Sequence, residues 1–367
     1  MTDGKAAPQP LLGLIGLLVT VSLSLLISIA FDAQTFGTWV AFLFMSMIPT
    51  QIIIGLVWHN SYPPALGRLS QPGKGFAILA MLLLSGCLIA SLALALVGGH
   101  VVPPLPFLIM YIIVSVVVSF WLVVVFQCWP FSALTAAPAA IGGGTLVSAY
   151  LLALLVFKVG FEFSIMEKAP FYVGSLDPHG AFPAWSILSY LVTSVAVIMA
   201  LVLLDFWPFS AIARTNPRWG RQPLFGSVVG VFVLLAAALV WKIGVAWAGM
   251  DTVDYMVRVP ISVLFGDFIL LVLFEVARSV KMTQPAKGLG LIACSAVLAV
   301  ATYALYRFAA LSLVGALPVG PPAYGLELWI ATAMLSVTFP IIVAYGEGFG
   351  FWPFALIADR PPGDGQV

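Results

Sequence analysis

Trp129-Pro130-Phe131-Ser132-Ala133-Leu134 recurs as Trp207-Pro208-Phe209-Ser210-Ala211-Ile212 and again as Trp352-Pro353-Phe354-Ala355-Leu356-Ile357. Self-similarity at a long, fixed period marks an architecture built by copying one unit. A degenerate copy opens at Trp58, where Trp58-His59-Asn60-Ser61 keeps the Trp and the Ser. A further copy has lost its Trp: 271–276 aligns with 201–206 and puts Ala277 at the Trp position. The anchors 58, 129, 207, 277 and 352 are then 70–78 residues apart. A second echo keeps this frame. Gln71-Pro72-Gly73-Lys74-Gly75 resembles Gln284-Pro285-Ala286-Lys287-Gly288, and Gln222-Pro223 stands at the matching place.

The stretches between anchors are apolar. Of 367 residues, 62% are hydrophobic and only 8% charged, with a mean hydropathy of +1.13. A soluble domain carries roughly 25% charged residues, so this chain lacks the charge to coat a water-soluble globule. The same figures exclude a disordered chain. A transmembrane helix needs about 20 mostly apolar residues, and ten runs qualify: 10–31, 37–57, 76–98, 104–127, 140–160, 184–206, 224–248, 259–277, 288–313 and 325–347. The first follows a single Lys5 and is longer than a signal-peptide core, so it is read as a retained span.

The expected fold is therefore an all-α membrane protein, one polytopic domain over 1–367. It contains five parallel two-helix units at about 10–67, 76–138, 140–221, 224–287 and 288–360. Two spans per unit keep every unit in the same sense, unlike the inverted pairs of many transporters. Ten of the fifteen Lys and Arg fall on the face of the N-terminus: Lys5, Arg68, Lys74, Arg214, Arg218, Arg221, Arg278, Lys281, Lys287 and Arg360. The positive-inside rule makes that face cytoplasmic. Both termini and the interfacial tryptophans Trp58, Trp129, Trp207 and Trp352 are then cytoplasmic, in an inner (plasma) membrane. Trp and Phe favour the headgroup level, and Pro tends to end the preceding helix. Ser61, Ser132 and Ser210 are placed to cap freed backbone groups at the turn.

Ionisable residues inside spans are functional candidates because burying them in lipid is costly. Asp267 is the clearest, about 12 Å deep in a span beginning near Val259, with no acid at the matching place in the other units. Gly266 beside it permits close helix approach. Two residues before each Trp position stand Leu56, Gln127, Asp205, Glu275 and Gly350, and Glu347 shares the face of Gly350. Gln127, Asp205, Glu275 and Glu347 suggest an inner vestibule; the plainer alternative is that they reach interfacial water. Glu275 also has Arg278 three residues on, placed for a local ion pair. Lys158, Lys242 and Arg307 lie near outer helix ends, where they either snorkel to headgroups or hold an anion, a partner, or Glu162, Asp251 and Asp254. Pro340 and the Gly-rich 346–350 predict a kinked, loosely ended last helix.

No HExxH, CxxC, P-loop or GxSxG motif occurs. Cys87, Cys128 and Cys294 suit neither a disulfide framework nor a zinc site. His59, His100 and His179 do not share a depth in the bundle, and Asp177-Pro178-His179 reads as a turn. No metal, cofactor or nucleic-acid partner is expected. The leading expectation is a permease, proton- or cation-coupled through Asp267, with a polar path and a small solute inside the bundle. A non-catalytic anchor subunit docked on other proteins is the second, and an enzyme or binder acting on a lipid or quinone the third. Membrane lipids are partners in all three, and oligomeric state is left open.

Overall fold

The computed structural model describes residues 8–167, 172–276 and 280–355. Within them lie ten helices long and apolar enough to cross a membrane: α1 (Leu11–Ala30), α2 (Ala33–Val57), α3 (Gly73–Leu96), α4 (Pro106–Val125), α5 (Pro138–Gly160), α6 (Ala184–Leu203), α7 (Leu224–Trp247), α8 (Thr252–Leu273), α9 (Ala286–Val314) and α10 (Gly325–Gly348). The chain is a multi-pass membrane protein whose described residues are almost wholly helical in their regular structure. Its described strands, β1 (Phe161–Glu162) and β2 (Phe182–Pro183), form a short parallel pair in the loop between α5 and α6.

The helices fall into two layers. Between 56% and 72% of residues are buried in α2, α4, α6, α8 and α10, against 22–39% in α1, α3, α5, α7 and α9. The even-numbered helices form an inner ring in the order α2–α4–α6–α8–α10, with α10 packed back against α2. Each odd-numbered helix lies outside along one inner helix, and its end touches the next one round. Thus α3 packs on α2 and meets the end of α10; α5 takes α4 and α2; α7 takes α6 and α4; α9 takes α8 and α6; α1 takes α10 and α8. Leu-rich faces such as Leu84, Leu151 and Leu235 are left on the outside, where lipid tails are as apolar as the side chains themselves.

Helix boundaries follow local chemistry. Asp32 caps α2 by accepting from the amides of Gln34 and Thr35 at 3.0 and 2.9 Å, which starts the helix before the apolar run does. Asp251 caps α8 in the same way, with Val253 and Asp254 as donors. The Asp254–Arg258 pair, 2.6 Å apart, then lies inside the first turns of α8. The apolar run at 259–277 therefore begins two turns late. Asp267 is fifteen residues from the true start, so it sits about 22 Å down the helix rather than about 12 Å. A run of low charge marks where side chains leave water, whereas an N-cap marks where the backbone begins to coil.

Most inner helices end in a π-helical turn: Ile53–Val57, Trp121–Val125, Ile269–Leu273 and Ala344–Gly348. Left-handed residues follow at His59 and Asn60, Gln127 and Cys128, Asp205 and Phe206, Glu275, and Gly350 and Phe351. The next amide then bonds three residues back: Ser61 to Trp58, Trp129 to Phe126, Trp207 to Leu204 and Trp352 to Phe349. This corrects the register of the first corner. Ser61, not Trp58, occupies the backbone place of Trp129, and Trp58 stands where Phe126 stands. Identity of residue type misled because the first corner keeps a Trp one turn early. His59 rather than Leu56 then matches Gln127.

Candidate functional site

The corners that follow the inner-ring helices are held by a recurring pair of contacts. Gln9, Gln71, Gln222 and Gln284 each donate Nε2–H to the last carbonyl before a corner, at Leu273, Gly348, Val125 and Leu203, over 2.6–3.0 Å. Each of these glutamines also accepts, through Oε1, from the amide four residues on, at Gly13, Gly75, Gly226 and Gly288. A helix end leaves carbonyls without intrahelical partners; here a side chain from a neighbouring helix takes them. The residue after each carbonyl then packs on the glycine. An added Cβ would lie 2.7 Å from Phe274 at Gly13, 2.7 Å from Phe126 at Gly226 and 2.6 Å from Leu204 at Gly288. It would come closer still to Phe349 at Gly75. In α5, Pro138 stands at the Gln position and the polarity reverses. Trp58 Nε1 donates to the Pro138 carbonyl at 2.8 Å, and its ring packs on Gly142. The pattern Gln-Pro-x-x-Gly was readable at Gln9-Pro10-Leu11-Leu12-Gly13 as well, and sequence reasoning missed that copy. Because glutamine satisfies these carbonyls, Ser132 and Ser210 cap nothing; among the described residues only Ser61 of the three turns its hydroxyl back, to His59 O at 3.0 Å.

The ring encloses a cavity of about 120 Å³ to which all five inner helices contribute. Its walls include Ala41 and Met45 of α2, Met110 and Ile113 of α4, Leu188 and Val192 of α6, Met256 and Ile261 of α8, and Thr332 and Ser336 of α10. Gly37, Pro106 and Trp185 place one end at the N-terminal ends of the inner helices. A smaller space of about 40 Å³ continues along the axis, and its walls are wholly apolar. It ends on Phe120, Phe268 and Phe339. The Phe268 ring lies 4.2 Å from Phe339 and 6.0 Å from Phe120, centroid to centroid, and all three are buried. Aromatic rings in contact pack favourably, so this end of the space is floored by a cluster of three buried phenylalanines.

Pro49, Pro260 and Pro340 interrupt α2, α8 and α10. A helical proline removes the amide that would serve the carbonyl four residues back. Those residues are Met45, Met256 and Ser336, each a wall of the cavity. Pro340 is also tied across the ring, its carbonyl accepting from Gln51 Nε2 at 2.9 Å. The expected break in α10 is a π-helical stretch over Thr332–Thr338, followed by another over Ala344–Gly348.

The structure distributes the residues singled out from sequence. Asp267 is 1% exposed and faces α9, not the axis. Its carboxyl lies beside the Ser295 hydroxyl, and its Oδ2 has no hydrogen-bond partner. Gly266 allows this approach, since an added Cβ would fall 2.5 Å from the Ser295 carbonyl. Gln127, Asp205 and Glu275 sit in the left-handed corners, and Glu347 lies in the last turn of α10. None of the four lines the central cavity. Asp205 instead accepts from Gln284 Nε2 at 2.7 Å, reinforcing the corner tie. Lys158, Lys242 and Arg307 are exposed near the C-terminal ends of α5, α7 and α9, away from the corners. Asp254 pairs with Arg258 and Asp251 accepts from Tyr324, so neither acid is spent on those cations. Arg278, Lys168, Ala277, Lys5 and Arg360 fall outside the described residues. In the loop between α5 and α6 Asp177 is a built turn, accepting from the amides of Phe163 and His179 and from the Tyr172 hydroxyl.

Comparison with protein-family models, curated proteins and solved structures finds no match for the chain.

Proposed function

We propose that this protein is a permease whose path runs down the axis of the inner ring. The chain is read as one hairpin copied five times in a single sense, with the Trp-Pro-Phe corners and both termini on the cytoplasmic face of an inner membrane. The observation that carries the reading is one cavity walled by all five inner helices and continued by a narrower space that stops at three phenylalanines toward the corner ends of those helices. A site between helices of a bundle is where small molecules commonly bind. A hydrophobic constriction gates by excluding water until the helices shift, and the prolines of α2, α8 and α10 supply flexible points for such a shift. In this proposal the path is lined by apolar side chains and the hydroxyls of Thr332 and Ser336 rather than by the acids singled out from sequence. Asp267 keeps a coupling role in this proposal through the α8–α9 contact: a proton gained or lost beside Ser295 changes how α9 holds α8, and Phe268 is the next residue of α8.

The test is flux in vesicles reconstituted with the full chain, across a panel of small uncharged solutes, with and without a pH gradient. Protein-dependent entry of at least one solute is expected. Asp267→Asn is expected to abolish the response to the pH gradient while leaving gradient-free entry within about twofold. Entry no faster than in protein-free vesicles for every solute would remove the permease reading, and an unchanged gradient response would remove Asp267 from it.

A second reading has its own observation. A groove of about 300 Å³ at the Trp129-Pro130-Phe131 corner is walled by Leu122 of α4, by Phe126 just after it, and by Thr145 and Leu152 of α5. It lies on the outside of the bundle and suits an acyl chain. Co-purification of a defined lipid lost in Leu152→Trp, together with absent flux, favours lipid handling instead.

A further inference from the structure

Serine and threonine in helices usually donate to the carbonyl three or four residues back. Thr20, Ser28, Ser46 and Ser119 do so here, at 2.7–2.8 Å. Thr332 and Ser336 do not. They are 9% and 3% exposed, both line the central cavity, and neither hydroxyl bonds to protein among the described residues, so each is open to the cavity rather than sealed in the wall. Four residues apart, they share one face of α10. A hydroxyl that faces a cavity with no protein partner keeps its hydrogen bond for whatever enters.

The rest of the wall defines that occupant. No charged side chain lines the cavity, so an ion would enter without compensation. Met45, Met110 and Met256 offer flexible, polarizable surface from three helices, which adapts to the shape of a guest. A cavity of about 150 Å³ with an apolar lining takes a molecule the size of benzene, and this one is of similar size at about 120 Å³. We propose that the central cavity binds a small uncharged molecule with an apolar body and one hydrogen-bonding group, which Thr332 and Ser336 engage. The proposal deepens the permease reading by giving the chemical class of its solute, but the site stands or falls by binding alone.

The probes are benzene and phenol, which share a ring and differ by one hydroxyl. Binding is read by ligand-observed NMR on the full chain in nanodiscs, with empty nanodiscs subtracted. Phenol is expected to bind more tightly than benzene. The double variant Thr332→Val with Ser336→Ala is expected to weaken phenol about three- to tenfold and leave benzene within about twofold; that range is one net hydrogen bond expressed as affinity. Thr332→Ser, which keeps the hydroxyl, restores phenol binding when introduced in place of Thr332→Val. Ala331→Phe fills the cavity and removes both ligands. Phenol affinity unchanged in the double variant, or binding of either probe that survives Ala331→Phe, overturns the proposal. Binding as described without flux in vesicles leaves this site standing and removes the permease.

Discussion

Phe268→Ala is expected to turn a closed axis into a leak. Phe268 is the ring shared by both aromatic contacts of the constriction, and its removal opens the floor of the smaller space toward the corners. Gating by an apolar constriction depends on its diameter, because water leaves a narrow apolar passage and refills a wider one. Solute entry into vesicles is expected to rise at least tenfold and to lose its dependence on solute size. The same substitution carries a stability cost of about 3–5 kcal/mol, typical of Phe→Ala at a buried site. Phe268→Leu separates the two effects. It keeps most of the volume, so closure is expected to persist while stability falls by less. A Phe268→Ala protein that folds and shows unaltered flux would mean the axis is not the path.

The second large effect is expected at the corners. Gly75→Val is expected to abolish the folded protein or lower its melting temperature sharply, because the added atoms overlap the Phe349 ring. Overpacking of this kind costs about 1–3 kcal/mol where neighbours can move and more where they cannot. Phe349 is held by its place after the Gly348 carbonyl, which Gln71 binds. Phe349→Ala in the Gly75→Val background makes room and is expected to recover most of the loss. The pair is then strongly non-additive, as residues in contact are. Gly290, by contrast, has open space where a Cβ would go, and Gly290→Ala is expected to leave the melting temperature unchanged or raised. Thermal unfolding of the variants in one detergent, followed by loss of monodisperse protein, reads all of them. Equal damage from Gly75→Val and Gly290→Ala would contradict the assignment of Gly75 as a socket.

Much of this was legible in the sequence, and the limits have physical causes. Ten spans could be read because a bilayer demands about 20 apolar residues per crossing and this chain separates its runs with charge and Pro. The corners at Trp129, Trp207 and Trp352 could be read because they keep three residue types in order. The first corner could not, because its backbone equivalent of Trp129 is Ser61, and a nearby Trp58 does a different job. The ring could not be read at all. Lipid and neighbouring helices ask for the same apolar side chains, so Val192 on the axis and Val231 on the outside look alike. Acidic residues drew attention because they are costly in lipid, yet Asp205 serves a corner and Asp267 faces α9. The cavity is walled by Met, Ile and Leu with two hydroxyls, residue types that carry no signal on their own in a chain that is 62% hydrophobic.

Enclosure of one axial cavity by five helices, entered from the face opposite the tryptophan corners, can be read directly by cysteine accessibility. Single cysteines would be placed at Ala41, Ile109, Leu188, Met256 and Leu328, one on each inner helix, in a chain whose three natural cysteines are replaced. A small, membrane-impermeant thiol reagent added from the outer side is expected to label all five, and Ala331→Phe is expected to slow all five together. Labelling of only one or two positions, or labelling that comes from the side carrying Trp129 and Trp207, would contradict the ring and its orientation alike.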